Sequence, residues 1–233
     1  MKIIYEDEDL LVIDKPAGIV VFPEGENLPA GREKTLIELL IAEFPDLKNV
    51  GKAPRYGIVH RLDKDTSGVL LVAKNNQSLT FLQKEFEEKK VEKKYIALIV
   101  GHLKSEKGII ETLIGRSSSD GRKQKVYLPF EPGAQNKRKA ITKYQVLQKF
   151  ENYDLIEITP ETGRKHQIRT HLAYLSHSIA GDKLYGFKNQ PTPKDLKRQF
   201  LHASYLKIQL PSGEIKEFKS ELPEDLKKVI KNL

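Results

Sequence analysis

The 233-residue sequence has no cysteine. Disulfides, a thiolate nucleophile and a cysteine-ligated zinc site are therefore excluded, and cysteine usage leaves the redox compartment undetermined. No run of about 18 apolar residues is present to cross a bilayer. The opening residues, MKIIYEDEDLLVIDKPAG, carry acids where a signal peptide has its apolar core. A soluble cytoplasmic protein without a membrane partner is expected. Neither G-x-x-x-x-G-K nor G-x-G-x-x-G occurs, so ATP and NAD are not expected as cofactors. Ser67 has no G-x-S-x-G elbow to make it a hydrolase nucleophile, and His60, His166, His171, His177 and His202 match no ligand spacing such as HExxH, so no metal is expected. Pro/Gly/Ser linkers are missing, and the lack of repeats and coiled-coil signals favours a monomer.

Cations, by contrast, are in surplus. Forty Lys and Arg against 32 Asp and Glu leave a net charge of +8, which favours a polyanionic partner such as nucleic acid.

The apolar pattern alternates strands with a few helices. Leu10 to Ile13 and Ile19 to Phe22 flank the turn Lys15-Pro16-Ala17-Gly18 as two short strands would. Residues 35–44 have helical spacing, ended by Pro45. The run 69–73 reads as a buried strand, followed by a helix capped by Asn75 or Asn76 with Leu79, Leu82 and Phe86 on one face. The segment around Tyr95 is apolar on both faces, as a central strand is. Residues 115–140 hold seven basic residues against two acidic ones and read as a long loop or irregular hairpin. Strands are expected again at 141–147, 155–159, 206–210 and 215–218, with helices over 165–175 and after Pro223. Tight turns between many strands argue for an α+β fold with a mainly antiparallel or mixed central sheet flanked by helices and loops.

The densest chemistry lies in HRLDKDTSGVLLVAK, residues 60–74. Its first eight positions hold five ionisable groups and two hydroxyls, and a purely apolar strand follows. Asp63 follows Arg61, a cation able to keep it ionised. In ETGRKHQIRTHLAYL, His166 and Arg169 share a helix face beside the stripe Ile168, Leu172 and Leu175. Paired with Asp63, Arg169 would lower that carboxylate's pKa by roughly 1 to 3 units and fix its rotamer.

Together, LLVIDKPAGIVVFP, HRLDKDTSGVLLVAK, KKYIALIVG, ETGRKHQIRTHLAYLSHSIAGDKLYG and FLHASYLKIQLP resemble the RluA-type pseudouridine synthases, which isomerise uridine in structured RNA. The resemblance covers nearly the whole chain in the family's order. It implies a pseudouridine synthase catalytic fold, one catalytic domain over 1–233 without an added N-terminal RNA-binding domain, no cofactor, and ribosomal or transfer RNA as partner. By the same resemblance Asp63 is the nucleophile toward the uracil ring, toward the ribose, or in an elimination. Tyr95 stacks on the flipped base and takes the proton from carbon 5, Arg169 pairs with Asp63, and Arg61 fills the space the uridine leaves. His60, Thr66, Arg164, His166 and Gln167, in the same motifs, are substrate-binding candidates. Arg116, Arg122, Lys123, Lys125, Lys137 and Arg138 are candidates for gripping phosphates, which offsets the cost of extruding a base. Phe22, Lys165 and Ser178 depart from the residues common at their positions, a His, a Thr and a Pro, which bears on substrate contacts only. The alternative reading is an RNA-binding or RNA-folding protein with little turnover.

Overall fold

The computed structural model describes residues 1–23 and 33–233, which form two compact units. The first comprises Met1–Glu92 and Ala203–Glu221; the second comprises Lys93–His202 and Leu222–Leu233.

In the first unit, β1 (Lys2–Glu6), β2 (Leu10–Lys15) and β3 (Ser67–Ala73) lie side by side, and β9 (Leu201–Gln209) follows β3, with β10 (Ile215–Lys219) on β9. Every residue of β3 is buried, which is why its sequence shows no alternation. Strand β2 runs antiparallel to β3 from Leu10 opposite Ala73 to Lys15 opposite Gly68. This register sets the KPAG turn beside the end of the HRLD loop.

Helix α1 (Leu36–Glu43) follows a cap in which the Thr35 N–H and hydroxyl both donate to the Glu38 carboxylate at 2.7 Å. Pro45 ends it by opening a 3₁₀ turn over Pro45–Asn49. The expected strand at Ile19 to Phe22 does not form. Leu36 and Ile37, at the start of α1, donate their N–H groups to the Val20 and Val21 carbonyls at 2.8 and 3.0 Å. The apolar run satisfies orphan helix donors instead of a strand ladder. Helix α2 (Asn76–Glu87) is capped by the Asn75 side chain, which accepts from the Ser78 N–H at 2.8 Å, and it packs Leu79 and Leu82 inward.

The second unit holds β4 (Glu92–Val100), β5 (Lys107–Arg116), β6 (Gln124–Tyr127), β7 (Arg138–Lys149) and β8 (Tyr153–Pro160) in the spatial order β4-β8-β7-β5-β6. The pairings β4 with β8, β8 with β7, β7 with β5 and β5 with β6 are antiparallel. The 115–140 segment is therefore an irregular hairpin: β5 continues to Arg116, and β6 returns with Gln124 opposite it. Helices α3 (Gln167–Tyr174) and α4 (Glu224–Lys231) complete the unit, and Leu172, Leu226 and Val229 join Leu98, Ile156, Ile158 and Phe200 in its core. Among the described residues no helix is long and apolar enough to cross a membrane.

One core polar network carries a pH consequence. His171 is fully buried, with Nε2 3.0 Å from the Thr112 hydroxyl of β5 and Nδ1 2.8 Å from the Thr142 hydroxyl of β7. Burial pushes its imidazole down to about 4. Because the unfolded chain takes up this proton near pH 6.5 and the folded chain only near 4, stability falls as pH drops through that window, by up to about 3 kcal/mol. Urea midpoints at pH 7 and pH 4.5 test this. The wild type should lose more stability across the interval than His171→Gln, and equal losses would contradict it.

Candidate active site

In the first unit the HRLD loop is held at its centre. The Lys64 carbonyl accepts from the Gly18 N–H at 2.9 Å and from the Lys15 ammonium at 3.0 Å; the same ammonium also donates to the Pro16 carbonyl at 2.8 Å. Lys15 is fully buried, so its charge is directed into these carbonyl dipoles rather than into water. The Thr66 N–H closes a turn onto the Asp63 carbonyl at 3.1 Å, leaving Asp63 half-buried and Thr66 and Ser67 buried. Gly68 then has φ +117°, and a side chain there would collide with the Ala203 carbonyl of β9. The loop can enter β3 this closely only through glycine.

The residues around Asp63 have defined places. His60 Nε2 accepts the Leu71 N–H at 3.1 Å, and its ring stacks on Phe86 at 4.8 Å, which fastens the loop's start to β3 and α2. The guanidinium of Arg61 lies 5.1 Å from the centre of the Phe22 ring, and that of Arg55 lies 4.9 Å from it. The Phe at position 22 is thus a shared cation–π platform for two arginines.

In the second unit Tyr95 is half-buried on β4, opposite Ile158 of β8. The TGRKHQIR segment turns into α3 at His166, which adopts the left-handed conformation at φ +55°. Gln167 is buried and uses its whole amide within the fold. Its oxygen accepts from the Thr162 hydroxyl at 2.7 Å and the Arg164 N–H at 3.0 Å, and its nitrogen donates to the Ile141 carbonyl at 3.0 Å and the Thr142 hydroxyl at 2.9 Å. With both donors and both lone pairs engaged, it bolts the loop to β7. Arg164 Nε donates to the Lys139 carbonyl at 3.0 Å, and burial, with the nearby charge of Arg138, lowers its affinity for a proton.

Arg169 is buried and forms a fork with Asp182, Nε to Oδ2 at 2.7 Å and Nη2 to Oδ1 at 2.8 Å. Burial works to raise the Asp182 carboxyl, but hydrogen bonding and charge from Arg169, with the Tyr185 and Leu184 N–H groups, hold it below the ordinary value. The Arg169 guanidinium also lies 5.0 Å from the Tyr185 ring centre. The Tyr185 hydroxyl accepts the Gln124 N–H of β6 at 2.7 Å and meets His166 Nδ1 at 2.9 Å. Asp182 and Tyr185 did not emerge as site residues from sequence reasoning. Their signal was an acid and a phenol three positions apart in GDKLYG, downstream of Arg169.

The basic hairpin is locally ordered. Arg116 Nε donates to the Gly121 carbonyl at 2.8 Å, Arg122 forms a fork with Asp120, and Lys125 pairs with Glu131 at 2.7 Å. Lys125 and Lys137 each lie 5.0 Å from the Tyr127 ring centre. Lys123 is half-buried and Arg138 exposed. Of the two remaining departures from the common residues, Lys165 is exposed, and the Ser178 hydroxyl donates to Gln190 Oε1 at 2.5 Å.

A family model described as RNA pseudouridylate synthase matches residues 9–174, a span that includes Asp63, Tyr95 and Arg169. The chain belongs to this family. An uncharacterized RNA pseudouridine synthase of Aquifex aeolicus is 39% identical over 98% of this chain and 72% of its own length. The ribosomal large subunit pseudouridine synthase D of Nitrosomonas europaea is 40% identical over 97% of this chain and 63% of its own length. Human RNA Pseudouridylate Synthase Domain Containing 1 has the same fold, with a TM-score of 0.77 at 29% identity over 97% of this chain and 86% of that one. The protein is an RNA pseudouridine synthase, an enzyme that isomerises uridine in RNA.

Asp182 lies beyond the matched span yet holds Arg169. Replacing Asp182 by Ala removes the anion from a buried guanidinium and should lower stability by about 3 kcal/mol or more, measured by urea unfolding at neutral pH. A loss under about 1 kcal/mol, the range of exposed ion pairs, would contradict the structural importance given to this fork.

Proposed function

We propose that this enzyme converts specific uridines of structured RNA, ribosomal or transfer, to pseudouridine, with Asp63 as nucleophile on a flipped-out nucleoside. In the net reaction the bond from ribose carbon 1′ to base nitrogen 1 breaks, a bond from carbon 1′ to carbon 5 forms, carbon 5 loses its proton and nitrogen 1 gains one. Asp63 holds one fragment while the ring turns, by attack on the base or the ribose or through an elimination. Tyr95 stacks on the base and takes the carbon 5 proton. Arg169, oriented by Asp182, supplies the cationic group. Arg61, steadied on Phe22, takes the place of the extruded uridine. Thr66, Arg164 and His166 contact the substrate, and cations of the 115–140 hairpin hold phosphates. The enzyme acts as a monomer in the cytoplasm.

The observation that carries this reading is the doubly held Lys64 carbonyl, which fixes the backbone next to Asp63 before any substrate arrives. Such preorganisation is what a nucleophile needs if its alignment is not to cost binding energy. Tritium release from RNA carrying 5-tritiated uridine tests it. Wild type should release tritium and Asp63→Asn should not; equal release by both, or by neither, would refute the assignment. Arg169→Lys, which keeps the charge but loses the fork, should slow release at least tenfold, because a guanidinium's planar geometry is not replaced by an ammonium. Comparing modified sites in RNA from cells with and without the protein identifies the uridine.

A further inference from the structure

The ring of Phe130 is 99% exposed, the most exposed of the large apolar side chains among the described residues. A single exposed apolar residue is ordinarily unremarkable, but this one is held out by a constructed loop. The Leu128 carbonyl accepts the Glu131 N–H at 3.0 Å, the Glu131 carbonyl accepts the Ala134 N–H at 3.0 Å, and the Ala134 carbonyl accepts the Lys137 N–H at 3.1 Å. Glu131 additionally accepts the Leu128 N–H at 3.2 Å and pairs with Lys125. Pro129 and Pro132 stand on either side of Phe130 in sequence, and Ala134 of the same loop is buried. The loop is closed by these turns and leaves the ring of Phe130 exposed.

The surroundings point to the class of partner. The hairpin has seven cations and two acids, and both acids are already engaged, Asp120 by Arg122 and Glu131 by Lys125. What the acids leave to a partner is positive charge before and after Phe130 in the sequence, with Lys123 preceding the loop and Lys137 and Arg138 following it. Nucleic acid with unpaired bases matches both features, since phosphates answer the cations and a base answers the ring.

On the RNA-modifying reading above, we propose that Phe130 is a stacking platform for an unpaired base of the substrate RNA, outside the target uridine itself, with phosphates on the flanking cations. Phe130 thereby contributes to which RNA segment is selected and takes no part in the chemical step.

The chain has no tryptophan, so F130W supplies an emission that reports on position 130 alone. Mixed unmodified ribosomal and transfer RNA transcripts serve as the probe. Adding them should quench that emission. Phe130→Leu, apolar but unable to stack, should raise KM between about fivefold and a hundredfold, the range that one base stack supports, with kcat unchanged. An unquenched emission, or a Leu variant with the wild-type KM, overturns the proposal and leaves the ring to a protein partner. Quenching is read without turnover, so failure here is distinct from failure of the Asp63 assignment, which tritium release decides.

Discussion

The Asp63 loop depends on one carbonyl oxygen. Lys64 O accepts from a backbone N–H of the KPAG turn and from the buried ammonium of Lys15. Because β2 and β3 pair with Lys15 opposite Gly68, the turn leaving β2 and the loop entering β3 are brought together by strand register. A slip of one residue would turn Lys15 to the other face of the sheet. On its other side Gly68 runs so close to the Ala203 carbonyl of β9 that a Cβ would not fit. The loop with Asp63 is therefore a product of sheet geometry, and its polar residues stay ordered because each end is fastened: His60 to the Leu71 N–H, Thr66 to the Asp63 carbonyl.

The second unit answers with a different device. A guanidinium in a buried setting is costly unless it is paired and its donors are satisfied. Asp182 meets that requirement with a two-point fork and is itself stabilised by two backbone N–H groups. Tyr185 covers the guanidinium with its ring and extends the network, through its hydroxyl, to His166 and to β6 of the basic hairpin. Positioning of Arg169 and anchoring of the hairpin thus share one residue, Tyr185.

Much of this was legible from residue order. The fully apolar run of β3, the Asn75 cap, the end of α1 at Pro45 and the start of α4 after Pro223 were readable because each rests on a local rule of burial or capping. Ile19 to Phe22 misled for the opposite reason. Apolar composition says that a segment is inside, but its carbonyls were taken by the N–H groups of α1, a partner that no local pattern names. Strand β6 was hidden because QKVY gains its conformation from β5. The motifs singled out Asp63, Tyr95 and Arg169, whereas Asp182 lies 13 residues beyond Arg169 in a turn whose acid looks like any other. Gln167 shows the converse: a motif residue taken as a substrate contact has its hydrogen-bonding capacity consumed by the fold.

The central claim is that Asp63 performs chemistry rather than holding RNA. Its most direct test is a single-turnover comparison of wild type and Asp63→Asn on one mapped substrate RNA, with affinity measured in the same samples and pseudouridine scored at the target nucleotide. The account predicts affinity close to the wild type's and no pseudouridine formed by the variant at saturating enzyme. Pseudouridine formed at the wild-type rate, or affinity lost along with turnover, would contradict it.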